Sequence, residues 1–433
     1  MPYTQYSITS LVAEISNLIG DPTNIQWTYA EVKLSVVEAM RLWGILTNYW
    51  KDRGAFNTTA VNPWYDLSVQ LPLLRTRTLT VNNVVTEIQY HCFEQANGLS
   101  GTGMTSQFNV AEIAQAVIRG RNRLVADTGL PLTVNAASAV STSTFSMPEK
   151  TAWIRHGYWV DADGSYWTMR KIDPWAGTGY KPSWTVEPGR PIAYSVGDNP
   201  PLDVYLYPPP LGSGMMEWIT ADSNVLSTTD TAQTMLLPDE FVPAAKYSAM
   251  ADLFSMDGET NDPMRADYCE KRYQQYVAIA QFHRSIVTLE INGVPIGSVP
   301  LSSLDSKQPN WRMSYGKPNI AGTDIDLVAL ANVPDGIYSV LADVIIPAPI
   351  PALDSDPLQI GRELINMIFD YSQHYLSNKL SGSEFTQTFN GLEGFFKAAS
   401  ARNSQMKSYI QFQSPLFNQQ AKEQAMQMGV SVA

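Results

Sequence analysis

The sequence predicts an α+β protein with a helical bundle core, an antiparallel β insertion and a C-terminal α+β region, and three observations carry that expectation. Two helix starts repeat one four-residue signal, Thr28-Tyr29-Ala30-Glu31 and Asn109-Val110-Ala111-Glu112. In each, a Thr or Asn side chain accepts from an orphan N–H of the first turn, and a Glu three residues on reaches back to the cap. From about Ala139 to Pro210 the apolar period changes from helical to alternating, with many Trp and Tyr. Finally, a unit of strand, proline break and helical hairpin occurs twice, an architectural repeat of low identity that does not prove duplication; it is the repeated helix start, with no paired reactive groups after it, that points to a duplicated scaffold and favours assembly over chemistry.

The first helix spans Ser7 to Ile19 and is stopped by Gly20-Asp21-Pro22. In the helix after Thr28, Leu34, Val37 and Met40 mark one apolar face, while Val32, Val36, Trp43, Leu46 and Trp50 widen the stripe well beyond one side. That width predicts burial both by the chain's own core and by a neighbouring subunit, with Trp27, Val36, Trp43, Leu46 and Trp50 as interface candidates. Asp66 to Pro72 reads as a short extended segment. Asn82-Asn83 reads as the cap of a helix with Val84, Ile88 and Cys92 inward, and Gly98–Gly103 as a flexible joint.

Two hairpins follow, Trp153–Trp159 with Ser165–Arg170 around Asp161-Ala-Asp-Gly164, and Arg190–Val196 with Leu202–Tyr207. Pro208-Pro209-Pro210 then breaks the strand. Helices are predicted over Pro238–Met256 and from Asp262-Pro263 to Arg284, the latter burying Cys269, Tyr273, Tyr276, Val277 and Ala280. The last third repeats the plan. Asn292-Gly293 and Pro334-Asp-Gly336 make turns, the strand Ile337–Ile346 runs into Pro347–Pro351, and helices are predicted over Pro357–Lys379 and Ser383–Arg402. After Asn403 periodicity is lost, and Tyr409, Phe412 and Phe417 stand in a polar tail that reads either as a loose terminus or as an arm ordered by a partner.

The bulk composition narrows the function. The 433 residues are 44% hydrophobic and 11% aromatic, ample for packed cores in more than one domain. Only 16% are charged, which suits a chain that covers its surface with partners. Lys plus Arg is 29 against 41 Asp plus Glu, a net charge of −12, which argues against tight phosphate binding over a broad surface. An acidic surface would instead let nucleic acid slide past. Two distant cysteines, Cys92 and Cys269, argue for a reduced protein assembled inside the cell. The start of the chain reads as lacking a signal peptide, and no apolar run approaches the ~18 residues of a membrane span.

No local constellation argues for catalysis. Gly98–Gly103 lacks the Gly-Lys-Ser/Thr ending of a phosphate loop. Asp161–Gly164 is half a calcium loop whose later ligands are Tyr166 and Trp167, so a turn is the better reading. His91, His156, His283 and His374 have no zinc spacing. No metal, cofactor or catalytic residue is therefore assigned, and the chain reads as no enzyme. Arg119 and Arg123 share a helix face while Arg121 points away, which fits a solvated face or intersubunit pairing with acidic neighbours better than DNA contact.

Two segments carry a resemblance. Asn24-Ile-Gln-Trp27-Thr-Tyr-Ala-Glu31 through Glu38-Ala-Met-Arg-Leu-Trp43 resembles the "Trp-Ser/Thr-x-x-Glu" start and "x-Glu-Ala-x-Arg" continuation of tailed-bacteriophage head-to-tail adaptor proteins. Leu237-Pro-Asp-Glu-Phe-Val-Pro243, Ala249–Leu253 and Asn261-Asp-Pro-Met-Arg-Ala-Asp-Tyr268 resemble that family's helical hairpin. The likeness covers about Ser7 to Arg284 with gaps. It implies a homo-oligomeric ring, commonly twelvefold, beneath the portal protein and above a tail or nozzle protein. Genomic DNA would pass through the lumen without sequence-specific binding, with no membrane involved. It also implies a C-terminal arm docked on the portal, for which Tyr409, Phe412 and Phe417 are the candidates. The place of action would be the virion neck, assembled in the host cytoplasm. The β insertion and the region after Ser285 depart from short family members and leave open a tail-side protein anchoring fibres or baseplate parts. The expected regions are 1–138 helical, 139–210 β-rich, 211–285 helical hairpin, 286–405 α+β and 406–433 tail.

Overall fold

A computed structural model describes residues 5–403 except 72–76, 93–107, 176–178, 180–186, 198–201, 257–260, 283–285, 300–319, 324–326, 331–333, 380–381 and some single positions. The expected joint at Gly98–Gly103 and the tail residues Tyr409, Phe412 and Phe417 lie outside the described residues.

In chain order the elements are α1 (Ile8–Leu18), α2 (Tyr29–Thr47), β1 (Lys51–Asn57), β2 (Trp64–Asp66), the short α3 (Leu67–Gln70), α4 (Val81–His91) and α5 (Val110–Thr128). Next come β3 (Leu132–Val140), β4 (Thr144–Ser146), β5 (Thr151–Val160), β6 (Tyr166–Lys171), β7 (Ala193–Val196), β8 (Asp203–Tyr207) and β9 (Gly214–Asp222). Helices α6 (Val242–Phe254) and α7 (Pro263–Phe282) follow, then β10 (Ile286–Ile291), β11 (Val294–Ile296), β12 (Ser298–Val299), β13 (Ile320–Thr323), β14 (Leu327–Leu330) and β15 (Ser339–Ile345). The last helices are α8 (Ile365–Ser377), α9 (Gly382–Gln387) and α10 (Phe389–Arg402). The chain is thus mixed α+β, as its sequence predicts.

Three sheets form. One has seven strands in the order β3-β9-β5-β6-β7-β8-β4, and two have four, β1-β15-β10-β11 and β12-β13-β14-β2. Both predicted hairpins are present in register: Trp159 faces Trp167 across β5 and β6, and Ser195 faces Tyr205 across β7 and β8. The large sheet nevertheless runs beyond the 139–210 expected for it, from β3 at Leu132 to β9 at Asp222. The three prolines end β8, but the chain re-enters as β9 between β3 and β5, with Met216, Trp218 and Thr220 inward.

The helical caps follow the sequence closely. Thr28 and Glu31 form a reciprocal box, as do Asn109 and Glu112. At α4 the cap is Thr80, with Asn83 its partner rather than the cap itself. A Thr hydroxyl three residues before a short polar side chain supplies the same hydrogen bonds as the Ser7–Ser10 box of α1. The extended segment expected over Asp66–Pro72 stops at Asp66, where one helical turn closes from Leu71 N–H to the Leu67 carbonyl at 2.7 Å. The helix expected from Pro357 begins only at Ile365. Residues before it are strapped along α1, with Leu358 N–H on the Tyr6 carbonyl (2.7 Å) and Thr9 N–H on the Asp354 carbonyl (3.0 Å).

Those straps disclose a nested duplication. An outer unit of α1, α2, β1, β15, α8 and α9–α10 encloses an inner unit of α4, α5, β3, β9, α6 and α7. The first helices of both units have 11 residues, the second 19 and the third 13. After the second helix each chain turns through a left-handed residue, Asn48 and Gly129, and Thr47 and Thr128 each bond back to the carbonyl four residues earlier. The strap recurs too: Met235 N–H meets the Leu79 carbonyl (2.8 Å) and Asn82 N–H the Thr231 carbonyl (2.8 Å). In both units the strand after the second helix pairs antiparallel with the strand that leads to the third, β1 with β15 and β3 with β9. The described helices of both units share one hydrophobic core, from Ile8 to Ala399. The proposed division at residue 286 therefore cuts through a unit, because α8 and α10 complete the core that α2 begins.

Candidate functional site

The five residues expected at a subunit interface do not lie on the surface. Val36, Trp43 and Leu46 are fully buried in the single chain, and Trp27 and Trp50 are 5% and 6% exposed. Their covers come from the C-terminal third. The Trp27 indole donates to the Leu376 carbonyl (3.2 Å) and the Trp50 indole to the Gln359 carbonyl (2.7 Å). Trp43 meets Phe395 edge-on at 5.5 Å, and Asn403 donates to the Leu46 carbonyl at 2.8 Å. The wide apolar stripe predicts a neighbouring subunit as its cover; instead α8 and α10, hundreds of residues away in the same chain, hide it.

What sequence reasoning missed is a buried ionic cluster where the two units meet. α2 of the outer unit presents Glu38 and α6 of the inner unit presents Lys246, the one charge in an otherwise apolar face. Lys246 pairs with Glu38 and, at 3.3 Å, with Glu87 of α4, and its ammonium is fully buried. Glu38 also accepts from the hydroxyls of Tyr247 (2.8 Å) and Tyr371 (2.7 Å). Arg272 of α7 donates to Tyr371 (2.5 Å) and Gln275 (2.8 Å) and lies over the Phe396 ring. A second bridge, His374, joins Tyr268 (3.0 Å) to Thr388 (2.8 Å). Arg41 reaches Asp239 at 3.8 Å from the same side.

Burial sets the electrostatics. It alone would push the Glu38 carboxyl up, but Lys246 and the hydrogen bonds from Lys246 and Tyr371 outweigh it and hold Glu38 below the usual carboxylate range. Glu87, less well served by the same lysine, is raised by burial. Burial would lower Lys246, yet Glu38, Tyr375 and Glu87 raise it well above a free lysine. His91 and His374 are kept neutral by burial, both far below an ordinary histidine. A buried lysine shared by two acids and ringed by tyrosines is stable only while all partners stay in place, which makes it a fastener between units.

The remaining candidates resolve individually. Asp161 of the half calcium loop accepts the indoles of Trp159 (2.8 Å) and Trp167 (2.7 Å) and pairs with Arg190 (3.1 Å), so its oxygens staple a hairpin. Arg121 is buried and donates to the Asp222 carbonyl (2.9 Å), its pKa pulled down to about 10 by burial. Arg123 makes a two-point pair with Glu270 (2.7 and 2.6 Å), and Arg119 meets Asp252 at 3.6 Å, so the three arginines make no shared basic patch. Cys92 and Cys269 are buried in the core and are not joined by a disulfide. Among the described residues no group of three or more His, Cys, Asp or Glu is arranged to hold a metal, and no helix is long and apolar enough to cross a membrane.

The open concavity lies elsewhere. A groove of about 580 Å3 runs between α1 and α8, lined by Glu14, Asn17, Leu18, Asn366, Phe369, Asp370 and Gln373. A cleft beside Trp27, Glu31, His91 and Lys379 encloses about 10 Å3, room for one water. No protein-family model matches the chain, and no curated protein matches it.

Proposed function

We propose that the chain is a structural virion protein that forms a ring at the head-to-tail junction beneath the portal, joins capsid to tail and lets DNA pass through its lumen. The helices of both units would form the ring's bundle core, and the seven-stranded sheet would be an insertion on it. The observation that carries this reading is that the two segments resembling head-to-tail adaptors meet in space. Glu38 and Arg41, from the "Glu-Ala-x-Arg" stretch, pair with Lys246 and Asp239 of the helical hairpin. The hairpin's Asp262–Pro263 joint caps α7, Arg265 N–H bonding Asp262 at 3.1 Å. The motif residues thus fasten a scaffold, which suits a mechanical task better than a chemical one.

The test is assembly. Sizing by light scattering and negative-stain imaging, of the chain alone and mixed with its portal, should show a ring in at least one setting. A chain that stays monomeric in both would overturn the reading. The tail-anchor alternative draws on the sheet side, where Trp175 (84% exposed), Leu211 (77%) and Met215 (45%) stand out. Loss of fibre attachment, with portal binding kept, after deletion of residues 139–210 would favour it.

A further inference from the structure

The two units of one chain meet head to tail, and the consequence is a second joint that one chain leaves open. The outer unit offers α2 and α8, through Glu38, Tyr371 and Tyr375. The inner unit receives them on α4 and α6, through Glu87, His91, Lys246 and Tyr247. The two faces differ, so the contact is heterologous, and such a contact repeats until a ring closes or a filament grows.

The duplication places the residues of this joint in the other unit, Tyr371 corresponding to Ser248, which is buried beside Gly120 of α5. Counting from the caps Ser7 and Thr80, Glu87 and His91 correspond to Glu14 and Leu18. Counting from Leu364 and Phe241, whose backbones match within one degree, Lys246 and Tyr247 correspond to Phe369 and Asp370. Glu14, Leu18, Phe369 and Asp370 are the walls of the 580 Å3 groove. The outer unit's copy of the receiving face is therefore this open groove. From Thr28 and Asn109, Glu38 corresponds to Arg119, and Tyr375 corresponds to Asp252. Both lie on the solvent side of α5 and α6 and meet there at 3.6 Å.

We propose that the α1–α8 groove receives the α5–α6 face of a second copy of this chain, so that copies join as the two units within a copy do. One charge pair favours this occupant: in the internal joint the acid Glu38 enters and Tyr247 meets it at 2.8 Å, and in the external one Arg119 enters where Asp370 takes the place of Tyr247. Asp252 enters on the side of Glu14 and brings its own countercharge, Arg119 at 3.6 Å. Asp370 is half-buried, its carboxyl raised by desolvation alone, and makes no ion pair among the described residues. Leu18, 59% exposed, stands where His91 meets Tyr375. The proposal rests on the ring reading and deepens it: a closed ring would display two units per chain, so its repeats in projection would number twice its subunits.

Cysteine pairing tests the joint directly. The full-length double variant Leu18→Cys/Asp252→Cys, treated with a short bismaleimide alone and with portal, is expected to give a ladder of linked chains; each single variant should give none, because Cys92 and Cys269 are buried. Adding Asp370→Arg should cut the ladder about tenfold, and adding Arg119→Asp on top should restore it. Both side chains reach solvent, so circular dichroism should be unchanged. Rings without a ladder overturn the joint and keep the ring reading. A ladder without closed rings keeps the joint and overturns the ring reading, and neither ladder nor ring overturns both.

Discussion

The outer and inner units share a skeleton but spend their residues differently, and the contrast is sharpest on the face where each could receive a neighbour. On the inner unit that face is covered, and it carries Lys246, Glu87 and Tyr247, locked to one another and to Glu38. On the outer unit the same positions are open, with Phe369, Glu14 and Asp370 around a groove. A charge in low dielectric costs several kcal/mol unless paired, so a buried lysine survives only where a partner is fixed by the same chain. A face that must exist both free and docked keeps a solvent-reaching acid instead. The pair shows how one scaffold can be tuned for a permanent and for a conditional contact.

The largest expected effect comes from unlocking the permanent joint. Lys246→Met leaves Glu38 and Glu87 buried without their cation and should cost about 3–5 kcal/mol in urea unfolding. Phe369→Met, the corresponding change on the open face, should cost under about 1.5 kcal/mol. Combining Lys246→Met with Glu38→Gln should recover part of the loss. Equal costs at the two positions would break the comparison. Next in size is Trp43→Ala, expected to cost about 3–5 kcal/mol by leaving a cavity against Phe395. Because that ring is sealed by the chain's own α10, the cost should not depend on protein concentration.

Acid should loosen the joint as well. His91 and His374 are neutral in the fold with pKa values well below 6.5, whereas the unfolded chain titrates near that value. The unfolded state then binds more protons at mildly acid pH. The stability that the neutral rings contribute is complete above about pH 6.5 and falls by roughly 1.4 kcal/mol per unit per histidine below it. Unfolding free energies measured from pH 7.5 to 5 should show this slope, and His374→Gln should reduce it. A flat profile would mean that both rings reach solvent.

The sequence exposed most of the skeleton because caps, hairpin turns and prolines act over a few residues. Thr28–Glu31, Asn109–Glu112 and Asp161–Gly164 each behave as local chemistry dictates. It did not expose who covers whom. Trp27 to Trp50 reads as excess apolar surface in any local window, since its lid is 300 or more residues downstream: Leu376, Phe395 and Asn403. The fastener was hidden for the same reason, Glu38 and Lys246 being 208 residues apart. Its one local trace is a charge inside an apolar helix face, Lys246 in Pro243-Ala-Ala-Lys-Tyr-Ser-Ala-Met, which marks a buried pair waiting for its acid. The duplication showed partly, through the repeated capped helices and proline breaks, but its nesting needs the straps that tie Tyr6 to Leu358 and Leu79 to Met235.

The smallest contrast sits in the two boxes that first signalled the duplication. Both use a Glu at the third helical position, yet the surroundings differ. Glu112 is exposed and bonds Asn109 N–H at 3.0 Å. Glu31 is 4% exposed, bonds Thr28 N–H at 2.6 Å and also holds Lys379 at 2.7 Å, tying α2 to the end of α8. Glu112→Ala should therefore cost about 0.5–1 kcal/mol, the worth of a solvated cap contact. Glu31→Ala should cost about 1.5–3 kcal/mol, because it also takes the carboxylate from a partly buried ammonium that keeps the Gln26 carbonyl at 3.0 Å. Lys379→Met should close much of that gap when combined with Glu31→Ala, read as a double-mutant cycle by thermal or urea unfolding. Additive effects of the two changes would show that the outer unit's box is no more than a cap, like its inner counterpart.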